Sequence, residues 1–328
     1  MEKLQFICAQ PRSLYFIWQI EVLINNFIKH GIKPEQIHIL LAINCIDTDT
    51  DSQKTALAYD KIIRTYHNKA KFYLYEDTRK KPTYYVSSIR PNILKQHFKA
   101  YPHLKNCTIF YHDCDMIFTR KPELDKFIYD KVWYLSDTNN YINYDYINSK
   151  GYNLYDKMCN IVGIDKRIPK LMNSNSGGAQ YIMKNVDHLY WEKVETDCQK
   201  LYYEITEIMR AITKLNTDWH GLQIWCADMW AILWNAWLNG NETKVVKDLD
   251  FSWPNNPKKQ WEENFIFHNA GITKEIEDAN PGKYFYKGMY TQNLPYEFSN
   301  NPFDKDFCSY YYFNEILETS KISPLKDF

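Results

Sequence analysis

The stretch Ile109 to Phe118, IFYHDCDMIF, sets two carboxylates, Asp113 and Asp115, one residue apart at the end of an apolar run. In an extended chain residues i and i+2 face the same side, so this spacing predicts both carboxylates aimed at one spot just past a strand end. Two like charges held that close call for a cation between them. A solvated turn after a buried strand has the same signature, so the surroundings decide. His112 and Cys114 are expected on the opposite face, against the core.

Upstream, LQFICAQ (4–10) reads as a buried strand, and Leu14, Ile17, Trp18, Ile24, Phe27 and Ile28 then follow helical spacing until Gly31. QIHILLAI (36–43) is a second strand, 52–66 a second helix, KFYLY (71–75) a third strand and 88–101 a third helix. Apolar strands alternating with helices predict an α/β fold with a mostly parallel sheet covered on both faces. Ligands of such sheets lie outside the carboxyl ends of the strands, where the two aspartates fall.

Downstream, KVWYL (131–135) resembles a strand, the Tyr- and Asn-rich stretch 138–153 a loop, and NSNSGGAQYIMKN (173–185) a turn entering a strand. Helices are expected over 187–214 and 226–238, and strand-like pieces in VVKDLDFSW and FIFHNAGI; the last sixty residues show little periodicity. With no repeat and no linker, the expectation is one domain over 1–275 with a C-terminal extension, 276–328, packed on it.

Lys+Arg and Asp+Glu balance at 40 each, which argues against a global field for nucleic acid or anionic membrane. No apolar run approaches a membrane span, so a soluble, cytoplasmic protein without membrane contact is expected. The eight cysteines include no CxxC pair, which argues against a zinc site and, without a secretory signal, against a disulfide framework. Aromatics reach 16%, a supply of Tyr and Trp suited to stacking on sugars and peptides.

FIFHNAGITK (265–274) places His268, Gly271 and Lys274 in an H-x-x-G-x-x-K spacing after another apolar strand. Imidazole suits Mn²⁺ as a third ligand beside two carboxylates. Asp228 lies early in a Trp-rich apolar helix, where a carboxylate needs a reason: charge compensation at the helix start, or catalysis. Asp218, Trp219 and His220 form a further polar and aromatic cluster.

The paired D-x-D and H-x-x-G-x-x-K motifs resemble the metal and diphosphate site of GT-A-fold, Rossmann-like glycosyltransferases, in particular retaining enzymes of the glycogenin and bacterial galactosyltransferase type. SSIRPNILKQHF (87–98) and WCADMW (225–230) are similar to segments of plant hydroxyproline O-arabinosyltransferases and peptidyl-serine galactosyltransferases. The likeness runs over about residues 4–275, and a form without those families' secretory anchor is expected.

It implies Asp113, Asp115 and His268 as ligands of Mn²⁺ (or Mg²⁺) on the diphosphate of a nucleotide-sugar, expected to be a UDP-sugar. It further implies Gln10 and Pro11 at the base and ribose, Gly271 and Lys274 at the phosphates, and Ser88 and Arg90 beside the donor sugar. Ser88 also reads as the N-cap of the third helix. Asn175, Ser176, Gly177 and Gly178 would line the sugar pocket, with Asp228 and Asn175 as catalytic candidates.

The acceptor stays open among a glycan, a peptide and a hydroxymethylated nucleobase. Basic clusters at 79–81 and 258–259 could serve the last. A haloacid-dehalogenase-type phosphatase and a non-catalytic sugar- or nucleotide-binding module are the alternatives, and the sequence leaves the oligomeric state undetermined.

Overall fold

A computed structural model describes residues 3–80, 85–326 and 328; Lys81, in the first basic cluster, lies outside them. Strands β1 (Leu4–Pro11), β2 (Ile37–Ile43), β3 (Lys71–Glu76) and β4 (Thr108–Tyr111) are separated by helices α1 (Leu14–Lys29), α2 (Gln53–Tyr66) and α3 (Ile89–Ala100). With β6 (Trp133–Asp137), β7 (Gly177–Lys184) and β8 (Thr243–Val245) they form a seven-stranded sheet in the order β3-β2-β1-β4-β7-β6-β8. The pairs β3/β2, β2/β1, β1/β4 and β6/β8 are parallel, whereas β7 runs antiparallel to both neighbours. The α/β class and mostly parallel sheet expected from the sequence are what the chain forms.

Period-two alternation splits each strand between two cores. Ile7, Ala9, Ile109 and Tyr111 face a core with α3 and the helices His188–Leu215 and Ala227–Leu238. Phe6, Cys8 and Phe110 face the opposite core with α1 and α2. A helix the sequence reading lacks, Cys308–Ser320, adds Tyr312, Phe313 and Ile316 to the second core. Its apolar face is masked in the sequence by aromatic and polar residues of similar hydropathy. The stretch read as a loop at 138–153 holds short helices, Asn139–Ile142 and Tyr144–Ser149. The Asn143 side chain accepts from the Tyr146 amide as an N-cap, and Ile142 and Ile147 are buried.

A second, three-stranded sheet matters most for function. After β4 the chain turns through His112 to Asp115 into β5 (Met116–Phe118), which leaves the main sheet and pairs antiparallel with β10 (Ile266–His268). Strand β9 (Phe251–Ser252) flanks β10 on its other edge. Buried Asn26 of α1 holds β5 in place: its amide donates to the Phe118 carbonyl and its carbonyl accepts from the Phe118 N–H, both at 2.9 Å. Substituting Asn26 would leave two buried backbone groups unpaired, the costly case for a lost hydrogen bond.

Glu21 of α1 is buried, and its Oε2 accepts hydrogen bonds from the Tyr296 hydroxyl (2.8 Å) and Ser323 Oγ (2.9 Å). Burial nevertheless pushes its carboxyl up to about 7, against an ordinary value of 4.5. Folding therefore favours the protonated form. That contribution is complete below the unfolded value and is lost as pH rises through about 7. Glu21→Gln is expected to leave stability unchanged at pH 4 and to raise it by about 3 kcal/mol at pH 8 in urea unfolding. A pH-independent difference would contradict this role for Glu21.

Candidate functional site

The β5–β10 register puts Met116 opposite His268, and the Asn269 amide donates to the Asp115 carbonyl at 2.8 Å. Two motifs about 150 residues apart in sequence thereby meet, as neighbouring strands sit about 5 Å apart. His268 Nε2 lies 3.3 Å from Asp115 Oδ1 and 3.6 Å from Asp113 Oδ2. One ligand atom from each of Asp113, Asp115 and His268 fits within 4.8 Å of the others. The aspartates sit in the turn between β4 and β5 rather than in a strand, so this turn, not strand alternation, aims them.

These donors fit a divalent cation that accepts mixed oxygen and nitrogen ligands. His268 is oriented from both sides. Trp253 stacks on its ring, with centroids 5.5 Å apart and planes at 18°. Gln180 places an amide 3.3 Å from Nδ1, and its buried Oε1 has no partner. Without an ion Nε2 faces the aspartates as a hydrogen-bond donor; with Oε1 turned to Nδ1–H, the other tautomer would free the Nε2 lone pair for a metal. His112 points the other way: its Nδ1 lies 2.8 Å from the Asp113 carbonyl oxygen, and burial lowers it to about 4, a neutral core imidazole.

The three donors lie in the wall of a cavity of about 980 Å³ at the carboxyl ends of β1 and β4. Gln10, Pro11, Arg90, Asp228 and Gly271 line the same cavity. The Gln10 side chain is buried in this wall beside the Cys8 thiol, its amide without an oxygen or nitrogen partner. Gly271 has φ +82°, and an added Cβ would lie 3.1 Å from the Trp253 ring, so both backbone conformation and space favour glycine.

Arg90 links the metal candidates to Asp228. Its Nη1 donates to Asp113 Oδ1 and its Nη2 to Asp228 Oδ2. Asp228 Oδ1 in turn accepts from the Tyr85 hydroxyl. Tyr85 was missed in the sequence because nothing in its neighbourhood marks a tyrosine as polar core. Lys287, also missed, donates from Nζ to Asp115 Oδ2. Burial pushes the Asp115 carboxyl up, but the Lys287 ammonium and His268 outweigh it and hold Asp115 well below the usual carboxylate range.

Other sequence candidates lie elsewhere. Ser88 is fully buried behind the wall: its hydroxyl donates to the Tyr85 carbonyl and accepts from Arg79, and it makes no capping bond to α3, correcting the N-cap expectation. Its backbone is already helical, a geometry that does not turn Oγ onto the helix amides. Asn175, Ser176, Gly177 and Gly178 do not line the cavity; Ala179 and Tyr181, just beyond them, do. The two glycines are packed against Ser136 and Tyr181, which leaves no room for a Cβ. Lys274 is exposed and pairs with Asp278 at 2.8 Å on the helix Lys274–Ala279, rather than reaching the cavity. Trp219 is engaged with the Lys150 carbonyl, away from the wall.

No protein-family model matches the chain, and no curated protein matches it. Among solved structures it is similar to apo WbbM, a bifunctional glycosyltransferase, at 10% identity and a TM-score of 0.45. That alignment covers 99% of this chain and 50% of WbbM, so the chain spans about half the length of that structure. Nothing about the reaction follows from a likeness at this level. Among the described residues no helix is long and apolar enough to cross a membrane.

Removing one partner of a buried ion pair costs far more than the pair contributes, because the other charge stays buried and unpaired. Arg90→Met strands Asp228, whose side chain is 4% exposed, and frees Asp113. It is expected to destabilise the fold by about 3 kcal/mol in urea unfolding. Asp228→Asn should cost less alone and recover part of the loss in combination with it. Additive losses would show that the two do not interact.

Proposed function

We propose that this protein is a metal-dependent glycosyltransferase that moves a sugar from a nucleotide-sugar, a UDP-sugar in our reading, to an acceptor hydroxyl with retention at the anomeric carbon. The observation that carries the proposal is the convergence of Asp113, Asp115 and His268 on one point of a cavity that Gln10 also lines. Those three residues would hold Mn²⁺, with Mg²⁺ as the alternative, and the bound ion supplies Lewis-acid stabilisation of the departing nucleotide.

The chain's own groups do the rest. Gln10 offers a donor and an acceptor to the base or ribose, complementary to a uracil edge. Backbone at Gly271 approaches the diphosphate without a side chain between them. Arg90 and Tyr85 fix Asp228 in the wall as an anion suited to a developing oxocarbenium charge. Arg90 and Tyr85 each contact one Asp228 oxygen, so in this reading Asp228 serves as a fixed anion, and a donor phosphate oxygen assists acceptor deprotonation with retention.

A glycan or peptide hydroxyl is the acceptor class favoured over a hydroxymethylated nucleobase. Arg79 is buried in ion pairs with Asp47 and Asp77, and Lys258 and Lys259 pair with Glu262 and Glu263. Arg79, Lys258 and Lys259 are thereby neutralised within the chain and offer little to a phosphate backbone. The phosphatase alternative is disfavoured because its two-aspartate motif belongs on the opening strand, whereas Asp113 and Asp115 follow β4.

Nucleotide release from a donor panel, with Mn²⁺ and with EDTA, tests the proposal. Turnover should require the ion, and Asp113→Ala combined with Asp115→Ala should lower it by about a hundredfold or more. Full activity in the double variant would overturn it. Binding of UDP without turnover across donors and acceptors would favour a binding module instead.

A further inference from the structure

Lys287 lies outside both sequence motifs, yet its ammonium sits on Asp115 beside Tyr15 in the cavity wall. The local charges explain why. Three carboxylates, Asp113, Asp115 and Asp228, face two permanent cations, Arg90 and Lys287. Arg90 is committed to Asp113 and Asp228, which leaves Lys287 as the counter-ion of Asp115. A flexible ammonium on Asp115 Oδ2 and a divalent ion held from Oδ1 compete for the charge of one carboxylate.

The segment around Lys287 is built to hold it there. Phe285 and Tyr290 stack at 5.5 Å, and both rings meet Trp18 of α1 edge-on. The Phe285 amide donates to Ser309 Oγ at 2.9 Å, tying the segment to the helix Cys308–Ser320. The Tyr286 ring folds over Gly288, where an added Cβ would overlap it. Both sides of Lys287 are thus anchored, and only its four-carbon side chain is left to move.

Resting on the glycosyltransferase reading, we propose that Lys287, and not Lys274, is the lysine of the donor diphosphate. Without a divalent ion its ammonium stands in for the cation on Asp115. When an ion takes that carboxylate, the displaced ammonium turns within the cavity to the phosphate oxygens of the nucleotide. The residues after 276 therefore complete the donor site. Lys274, paired with Asp278 on an exposed helix, takes no part.

Calorimetry on the full chain, with Mn²⁺ alone and with UDP in saturating Mn²⁺, reads the two halves of this exchange separately. Lys287→Met should bind Mn²⁺ alone several-fold more tightly, because its internal competitor is gone, and UDP about tenfold or more weakly. Lys287→Arg keeps the charge and should hold UDP affinity within a few-fold, which separates charge from folding defects. Lys274→Ala should change neither by more than about twofold.

Unchanged Mn²⁺ and UDP affinities in Lys287→Met would overturn the proposal, as would equal UDP losses in the Met and Arg variants or a UDP loss confined to Lys274→Ala. If the wild type binds Mn²⁺ but no UDP, the glycosyltransferase reading fails on its own. The Mn²⁺ comparison then still decides whether Lys287 is the resident counter-ion.

Discussion

The antiparallel pairing of β5 with β10 is the constraint on which the rest of the site depends. Strand β4 ends inside the main sheet, and the chain could continue in many directions from Tyr111. It turns out of the sheet because Asn26 captures both backbone polar groups of Phe118 and because β10 offers an edge in register with Met116. That one register fixes the distance between the Asp113–Asp115 turn and His268. A slip by a single residue would turn His268 to the opposite face.

Electrostatics then makes the turn costly without a counter-charge. Three carboxylates in one cavity wall repel one another, and the chain answers with Arg90 from the start of α3 and Lys287 from near the C-terminus. The two cations differ in kind. Arg90 is a planar fork that spans two carboxylates and fixes their geometry, whereas Lys287 is a single charge on a flexible stem that can leave Asp115 when something better arrives. A rigid clamp on one side and a mobile counter-ion on the other suit a site that exchanges a divalent ion and an anionic diphosphate.

Much of this was legible in the sequence, for physical reasons that also explain what was not. The βα alternation up to β4 and the long helices show because their apolar periodicities are strong, and Asp113, Asp115 and His268 show because two motifs of metal-ligating residues follow apolar strands, a pairing that neither motif carries alone. Lys287 does not show, since a lysine among tyrosines in an aperiodic segment looks like surface. Its meaning comes only from Phe285 and Tyr290 seating the backbone. Asn175 and Lys274 illustrate the converse: each fits a motif by spacing, but local packing turns one away from the cavity and Asp278 holds the other on an exposed helix. Motif spacing determines which residues are near in sequence, and tertiary register determines which of them meet.

The most direct test of the account is anomalous diffraction at the manganese edge from crystals of the full chain grown with MnCl₂ and UDP. The account predicts one dominant anomalous peak within bonding distance of Asp113 and Asp115 carboxylate oxygens and of His268 Nε2, bridged to the UDP phosphates, with Lys287 Nζ moved off Asp115. UDP bound in the cavity with no manganese between these three residues, or manganese bound elsewhere, would contradict it.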